Sequence, residues 1–155
     1  MVIQRWQSVL LLVATAVMAC FTFCSLGQIQ APDYTFNFTT MGFFSEGMAT
    51  DGASNVGIHT WYLFALSLTT SILLLIDIFL FKNFPLQMKV CLICIAFIIA
   101  TGAAAYGVGV NGVEGCSVRW STPALCPAIA VVAAVLAYWK MRKDQEKLRS
   151  YDRIR

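Results

Sequence analysis

Six cysteines, one histidine and one carboxylate set inside an apolar run are the side chains of this 155-residue chain whose types could do chemistry. The cysteines fall into three groups: Cys20 with Cys24, Cys91 with Cys94, and Cys116 with Cys126. Neighbouring thiols can exchange electrons through a disulfide or share a soft metal ion. Asp77 is the only ionisable side chain within the long apolar runs, and burying a carboxylate in hydrocarbon is costly enough to make it a candidate for a proton or cation role. Its depth favours a plainer reading as a structural carboxylate. Lys82 follows five residues later, so Asp77 would lie about 7.5 Å along a helix from the end of its run, where a basic group such as Lys89 could meet it. His59 stands beside Trp61 and Tyr62, the setting of an interfacial polar cap, and no serine or cysteine constellation points to it. Arg119 has Glu114 and the carboxylates of residues 27–59 as pairing partners.

The elements that must hold these groups are set by composition. The chain is 59% hydrophobic and 12% charged, with a mean hydropathy of +0.72, too apolar for an ordinary water-soluble domain. Residues 8–26, 60–81, 90–110 and 123–139 form four uncharged or nearly uncharged runs that hold over half the chain. Crossing roughly 30 Å of hydrocarbon takes about 20 helical residues, and backbone amides in lipid must pair within their own segment, so each run reads as a membrane-spanning helix. Pro123 suits a first helical turn after Ser121 and Thr122. The longest stretch outside the runs is 27–59, which leaves no room for a nucleotide-binding fold or a second catalytic domain. Residues 1–155 are thus one integral membrane domain, an all-α antiparallel four-helix transmembrane bundle.

Charge gives the orientation. Basic residues are retained on the cytoplasmic side, and placing both termini there puts ten of the 11 Lys and Arg residues inside, leaving Arg119 outside. Trp6 and Trp139 then fall at the inner interface, Trp61 and Trp120 at the outer. Seven of the basic residues, Lys140, Arg142, Lys143, Lys147, Arg149, Arg153 and Arg155, crowd into the tail 140–155. With Met141, Leu148, Tyr151 and Ile154 at helical spacing, the tail reads as a cytoplasmic continuation of the fourth helix, suited to anionic headgroups or a cytoplasmic protein. No aromatic platform accompanies the charge, so nucleic acid is not among the expected partners. The same orientation sorts the cysteines. Cys116 and Cys126 lie at the oxidising outer face and are candidates for a disulfide worth about 3 kcal/mol. Cys91-Leu92-Ile93-Cys94 has redox spacing but begins a membrane helix on the reducing side, where packing is the expected role. His59 is on the opposite side from Cys91 and Cys94, so neither a zinc site nor any other cofactor is expected.

The loops carry weaker signals. Asp33-Tyr34-Thr35-Phe36-Asn37-Phe38-Thr39 alternates rings with polar groups, as a half-buried strand does, and predicts a small extracytoplasmic β element lying over the helix ends. Gly42, Gly47 and Gly52 offer turns beyond it. Residues 82–89 read as a short inner loop restrained by Pro85. Ala100, Ala103, Ala104, Ala105, Gly107 and Gly109, with Ala130, Ala133, Ala134 and Ala137, have the small-residue spacing that lets membrane helices approach, within the bundle or across a homo-oligomer seam. Arg5 and the run ending Val17-Met18-Ala19-Cys20 loosely resemble a lipoprotein signal, but the chain stays apolar past the cysteine.

Two resemblances bear on function. Thiols near both outer loops resemble, in layout alone, the four-helix thiol:quinone oxidoreductases of the DsbB kind, which would require Cys116 and Cys126 as a relay. Over the whole chain, residues 1–8 with their Ile3-Gln4-Arg5, residues 81–89, residues 119–124 and the tail 142–155 resemble the domain of unknown function 4293 family of Bacteroidota. Phe84-Pro85 departs from that family's more basic inner loop. The resemblance implies a four-span protein of the bacterial cytoplasmic membrane and transfers no catalytic residue. A non-enzymatic interaction or accessory subunit is the expected role, with a DsbB-like oxidoreductase as the alternative.

Overall fold

A computed structural model describes residues 3–30, 35–45, 60–80, 83–111 and 117–152. Four helices dominate: α1 (Ile3–Phe23), α2 (Trp61–Phe79), α3 (Phe84–Asn111) and α4 (Cys126–Asp152). All four are long and apolar enough to cross a membrane. Four short strands, β1 (Gly27–Gln30), β2 (Thr35–Phe38), β3 (Phe43–Ser45) and β4 (Ser117–Trp120), form one antiparallel sheet in the order β3-β2-β1-β4.

The buried face of every helix follows one rule. Gln7, Leu11, Ala14, Met18 and Phe21 are buried on α1, and Leu63, Ser67, Thr70, Leu74 and Asp77 on α2. Gln87, Cys91, Cys94, Ile98, Thr101 and Ala105 are buried on α3, and Ala130, Ala134, Ala137 and Met141 on α4. In each file the steps alternate between four and three residues, a period of 3.5 that keeps one seam of each helix facing its neighbours. The seams mix small and polar residues with large apolar ones such as Phe21, Leu63, Leu74 and Ile98, whereas Leu12, Ile72, Phe79, Ile93, Ile99 and Val132 point outward and are exposed.

Contacts define the neighbours. α1 packs on α2 and α4, and α3 packs on α2 and α4. The Lys140 ammonium of α4 lies over the Trp6 ring at the start of α1, and Gln87 near the start of α3 donates to the carbonyl of Asp77 near the end of α2. A Cβ on Gly102 would sit 3.2 Å from the Pro127 ring, so glycine lets α3 and α4 approach there. The predicted sealing by small residues is selective: Ala105, Gly109, Ala130, Ala133, Ala134 and Ala137 are buried, while Ala100 and Ala103 face outward.

Three buried threonines seat the sheet on the helix ends. Thr60 Oγ1 donates to the carbonyl of Thr40 (3.2 Å), Thr40 Oγ1 to that of Thr22 (2.7 Å), and Thr22 Oγ1 to that of Met18 (2.9 Å). Leu26 completes the junction, its amide bonded to Phe38 O and its carbonyl to Ser121 N. The expected strand is present as β2, with Phe38 buried and Phe36 half-buried, while Tyr34 lies outside the described residues. A lone hairpin would be marginal, and β1 and β4 complete it by joining the segment after α1 to the segment before α4.

Two boundaries differ from the sequence reading. The first apolar run was placed at 8–26, but α1 ends at Phe23 and Leu26 enters the sheet junction. The loop expected over 82–89 is mostly helix. Asn83 O accepts the amides of Leu86 and Gln87 at 3.0 Å, and Pro85 occupies the first turn, where its missing N–H costs nothing. At the other turn Ser121 and Pro123 do start a helix, as a 3-10 turn over Thr122–Leu125 that runs on into α4.

Candidate functional site

Three groupings of chemistry-bearing side chains emerge, one at each end of the helices and one between them. The first is built where the start of α1 meets the end of α4. Met141 is fully buried, Gln7 donates its amide to the Asp144 carboxylate, and Lys140 sits 5.3 Å above the Trp6 ring. These contacts clamp α4 against α1 well past its apolar stretch. Of the tail cations, Lys140, Arg142 and Lys143 are exposed, and Arg142 meets Glu146 one turn on at 3.5 Å. The backbone of Lys147 and Arg149 continues the helix; Arg153 and Arg155 lie outside the described residues.

The second grouping surrounds Asp77. The carboxyl is fully buried, and among the described residues neither of its oxygens has a hydrogen-bond partner. The expected pairing with Lys89 is absent, because Lys89 is exposed while Asp77 faces the interior. The physical reason is the register: Asp77 falls on the 3.5-residue seam, whereas Lys89 falls two residues past Gln87 on the outer side of α3. Cys91 and Cys94 lie within electrostatic reach of Asp77, and the Cys91 thiol is 3.7 Å from the Ala134 carbonyl. Farther along the same seam Thr70 and Thr101 hydroxyls meet at 3.3 Å. Asp77 is therefore one member of a buried polar file, not an isolated group. Ser67, Thr70, Gln87 and Thr101 escaped the sequence reading, although their steps of three and four from Asp77 or Cys91 were a usable signal.

The third grouping lies beneath the sheet. Trp120 stacks on Tyr106 (5.9 Å between centroids, 12° between planes) and meets Phe38 edge-on, while Phe38 stacks on Phe43 at 5.0 Å. The Trp120 ring covers Gly109 so closely that no Cβ could fit there. Phe21, Gly102, Ala105, Tyr106, Trp120 and Leu125 line a largely apolar cavity of about 210 Å³ beside this stack. Cys126 follows Leu125 and lies within electrostatic reach of Cys20 and Cys24. The sequence pairs Cys126 with Cys116 because both fall at the expected outer face; Cys116, His59 and Glu114 all lie outside the described residues. Among the described residues no group of three or more histidine, cysteine or acidic side chains is arranged to hold a metal ion.

A family model described as Domain of unknown function (DUF4293) matches residues 3–154, nearly the whole chain. No curated protein matches it.

Proposed function

The chain belongs to the DUF4293 family, and from that premise we propose that it is a non-enzymatic accessory subunit of a bacterial cytoplasmic membrane, of the kind found in Bacteroidota. In this reading the four helices form an antiparallel transmembrane bundle with both termini in the cytoplasm and the sheet outside. The outward leucine, isoleucine and phenylalanine side chains support the lipid setting, and the ten of 11 basic residues that this arrangement gathers on one side support the orientation.

The observation that carries the accessory role is the continuity of α4. Twenty-seven residues, Cys126–Asp152, form one helix roughly 40 Å long, clamped to α1 through Lys140 and Asp144 with Met141 buried between them. Basic groups on a fixed helix are presented to a partner with little ordering entropy left to lose, which suits docking of an acidic protein surface or anionic headgroups. The clamp also says where to cut. Removing residues 140–155 would take away Met141 and Asp144 and damage the fold, whereas removing 147–155 and changing Arg142 and Lys143 to glutamine spares both contacts. Full-length and altered protein would be purified side by side in mild detergent, and bound protein and lipid quantified. Loss of a stoichiometric companion or of anionic lipid from the altered protein is expected; identical companions and lipid would defeat the docking role. A periplasm-dependent reporter fused within 112–116 should be active and one fused at the C-terminus silent, and the reverse pattern would overturn the orientation.

A further inference from the structure

Cys20 on the last turn of α1 and Cys24, the residue just past its end, are one turn apart, joined by the Cys24 N to Cys20 O hydrogen bond of 2.9 Å, and both are exposed. Cys126 caps the 3-10 turn that packs on α1. The two helix ends share a cavity wall: Phe21, next to Cys20, and Leu125, next to Cys126, both line it. Thiols from two distant parts of the chain therefore lie at one corner of the fold, Cys126 within electrostatic reach of Cys20 and Cys24, and all three are unbonded in this structure.

We propose that this corner is an oxidation site, at which Cys126 and Cys20 form a disulfide linking α4 to α1 while Cys24 serves as the exchanging thiol. The helical turn supports the second part: residues four apart lie on one face, so Cys24 can attack a bond held by Cys20 without the helix unwinding. In the oxidation, the two thiols lose two protons and two electrons as the S–S bond forms. The acceptor, a protein disulfide of the oxidising compartment, is reduced to two thiols. Access to that acceptor rests on the outward placement of the sheet end proposed above. The chemistry itself does not, since a membrane-permeant diazene such as diamide takes up the same two protons and two electrons.

The test therefore has separable arms. Purified full-length protein is treated with diamide, free thiols are counted, and chymotryptic peptides are mapped by mass spectrometry; cleavage after Phe21 and Phe23 distinguishes Cys20 from Cys24. The expected result is a loss of two of the six thiols and a reducible Cys20–Cys126 peptide, with the bond moving to Cys24 in Cys20→Ser and vanishing in Cys126→Ser. A bond from Cys126 to Cys116, a bond between Cys20 and Cys24 alone, or six unreacted thiols would overturn the proposal, and this arm uses the unaltered protein, so misfolded variants cannot decide it. In intact cells, protection of Cys24 from an impermeant maleimide despite a normal result in detergent would overturn the orientation and leave the oxidation site standing.

Discussion

Replacing Asp77 with valine should make the protein more stable. The carboxyl is fully buried, and neither oxygen has a hydrogen-bond partner among the described residues. A buried polar group left unsatisfied costs about 1–3 kcal/mol, and exchanging buried ionisable groups for apolar ones of similar volume stabilises by about 1–4 kcal/mol. Valine is close to aspartate in volume, so overpacking is small, and its β-branch costs a helix about 0.5 kcal/mol or less. The balance is a gain of about 2 kcal/mol, which for a chain of this size raises the unfolding midpoint by about 4–8 °C. Asp77→Asn is the informative companion, because its amide brings two N–H donors into the same unpartnered place and should leave stability within about 1 kcal/mol of the parent. Unfolding by dodecyl sulfate in mixed micelles, followed by far-ultraviolet circular dichroism, measures both. If Asp77→Val loses more than about 1 kcal/mol, the reasoning fails. The carboxyl would then be held by something that repays its burial, and the proton or cation role raised by the sequence would become the reading to pursue.

Other perturbations probe the remaining contacts. Gly109→Val should expel the Trp120 ring, shift tryptophan fluorescence and cost about 1–3 kcal/mol, and the cost should largely disappear when Trp120 is already alanine. Thr40→Val removes the hydroxyl that ties the sheet to Thr22 O; a loss of about 1–2 kcal/mol, with faster amide exchange in β2 and β3, is expected. Met141→Ala opens the clamp between α4 and α1 at a cost of about 2–4 kcal/mol, and a loss below 0.5 kcal/mol would show that the clamp is not a packed contact. Glu146→Gln breaks an exposed pair one turn from Arg142 and should change stability by less than about 0.5 kcal/mol at moderate salt.

What the sequence disclosed follows the range of the interactions concerned. Each long apolar run became a helix because backbone pairing there is local, and the seven-residue alternation of Leu63, Ser67, Thr70, Leu74 and Asp77 was present to be read. β2 was legible because Thr35-Phe36-Asn37-Phe38 alternates over its full length. Gln28-Ile29-Gln30 and Ser117-Val118-Arg119-Trp120 alternate too briefly to stand out; the first is a strand because β2 and β4 flank it, and the second because β1 lies beside it. The start of α3 was missed through weighting Pro85 as a loop residue, when Asn83 two places earlier made it a first-turn proline. The neighbourhood of Cys126 was beyond sequence reach, since it depends on which faces of α1 and the 3-10 turn meet.

The pairing of β1 with β4 also sets an order of assembly. Gly27 aligns with Trp120 and Gln30 with Ser117, partners far apart in the chain that leave the ribosome at different times. Until β4 docks, β1 has one open edge and Gly109 has no indole over it, so a chain folded only through α3 presents an unfinished strand on its sheet side. Closing that edge is a non-local event, and it makes the sheet a structural record that the segment leading into α4 has come back to the end of α1.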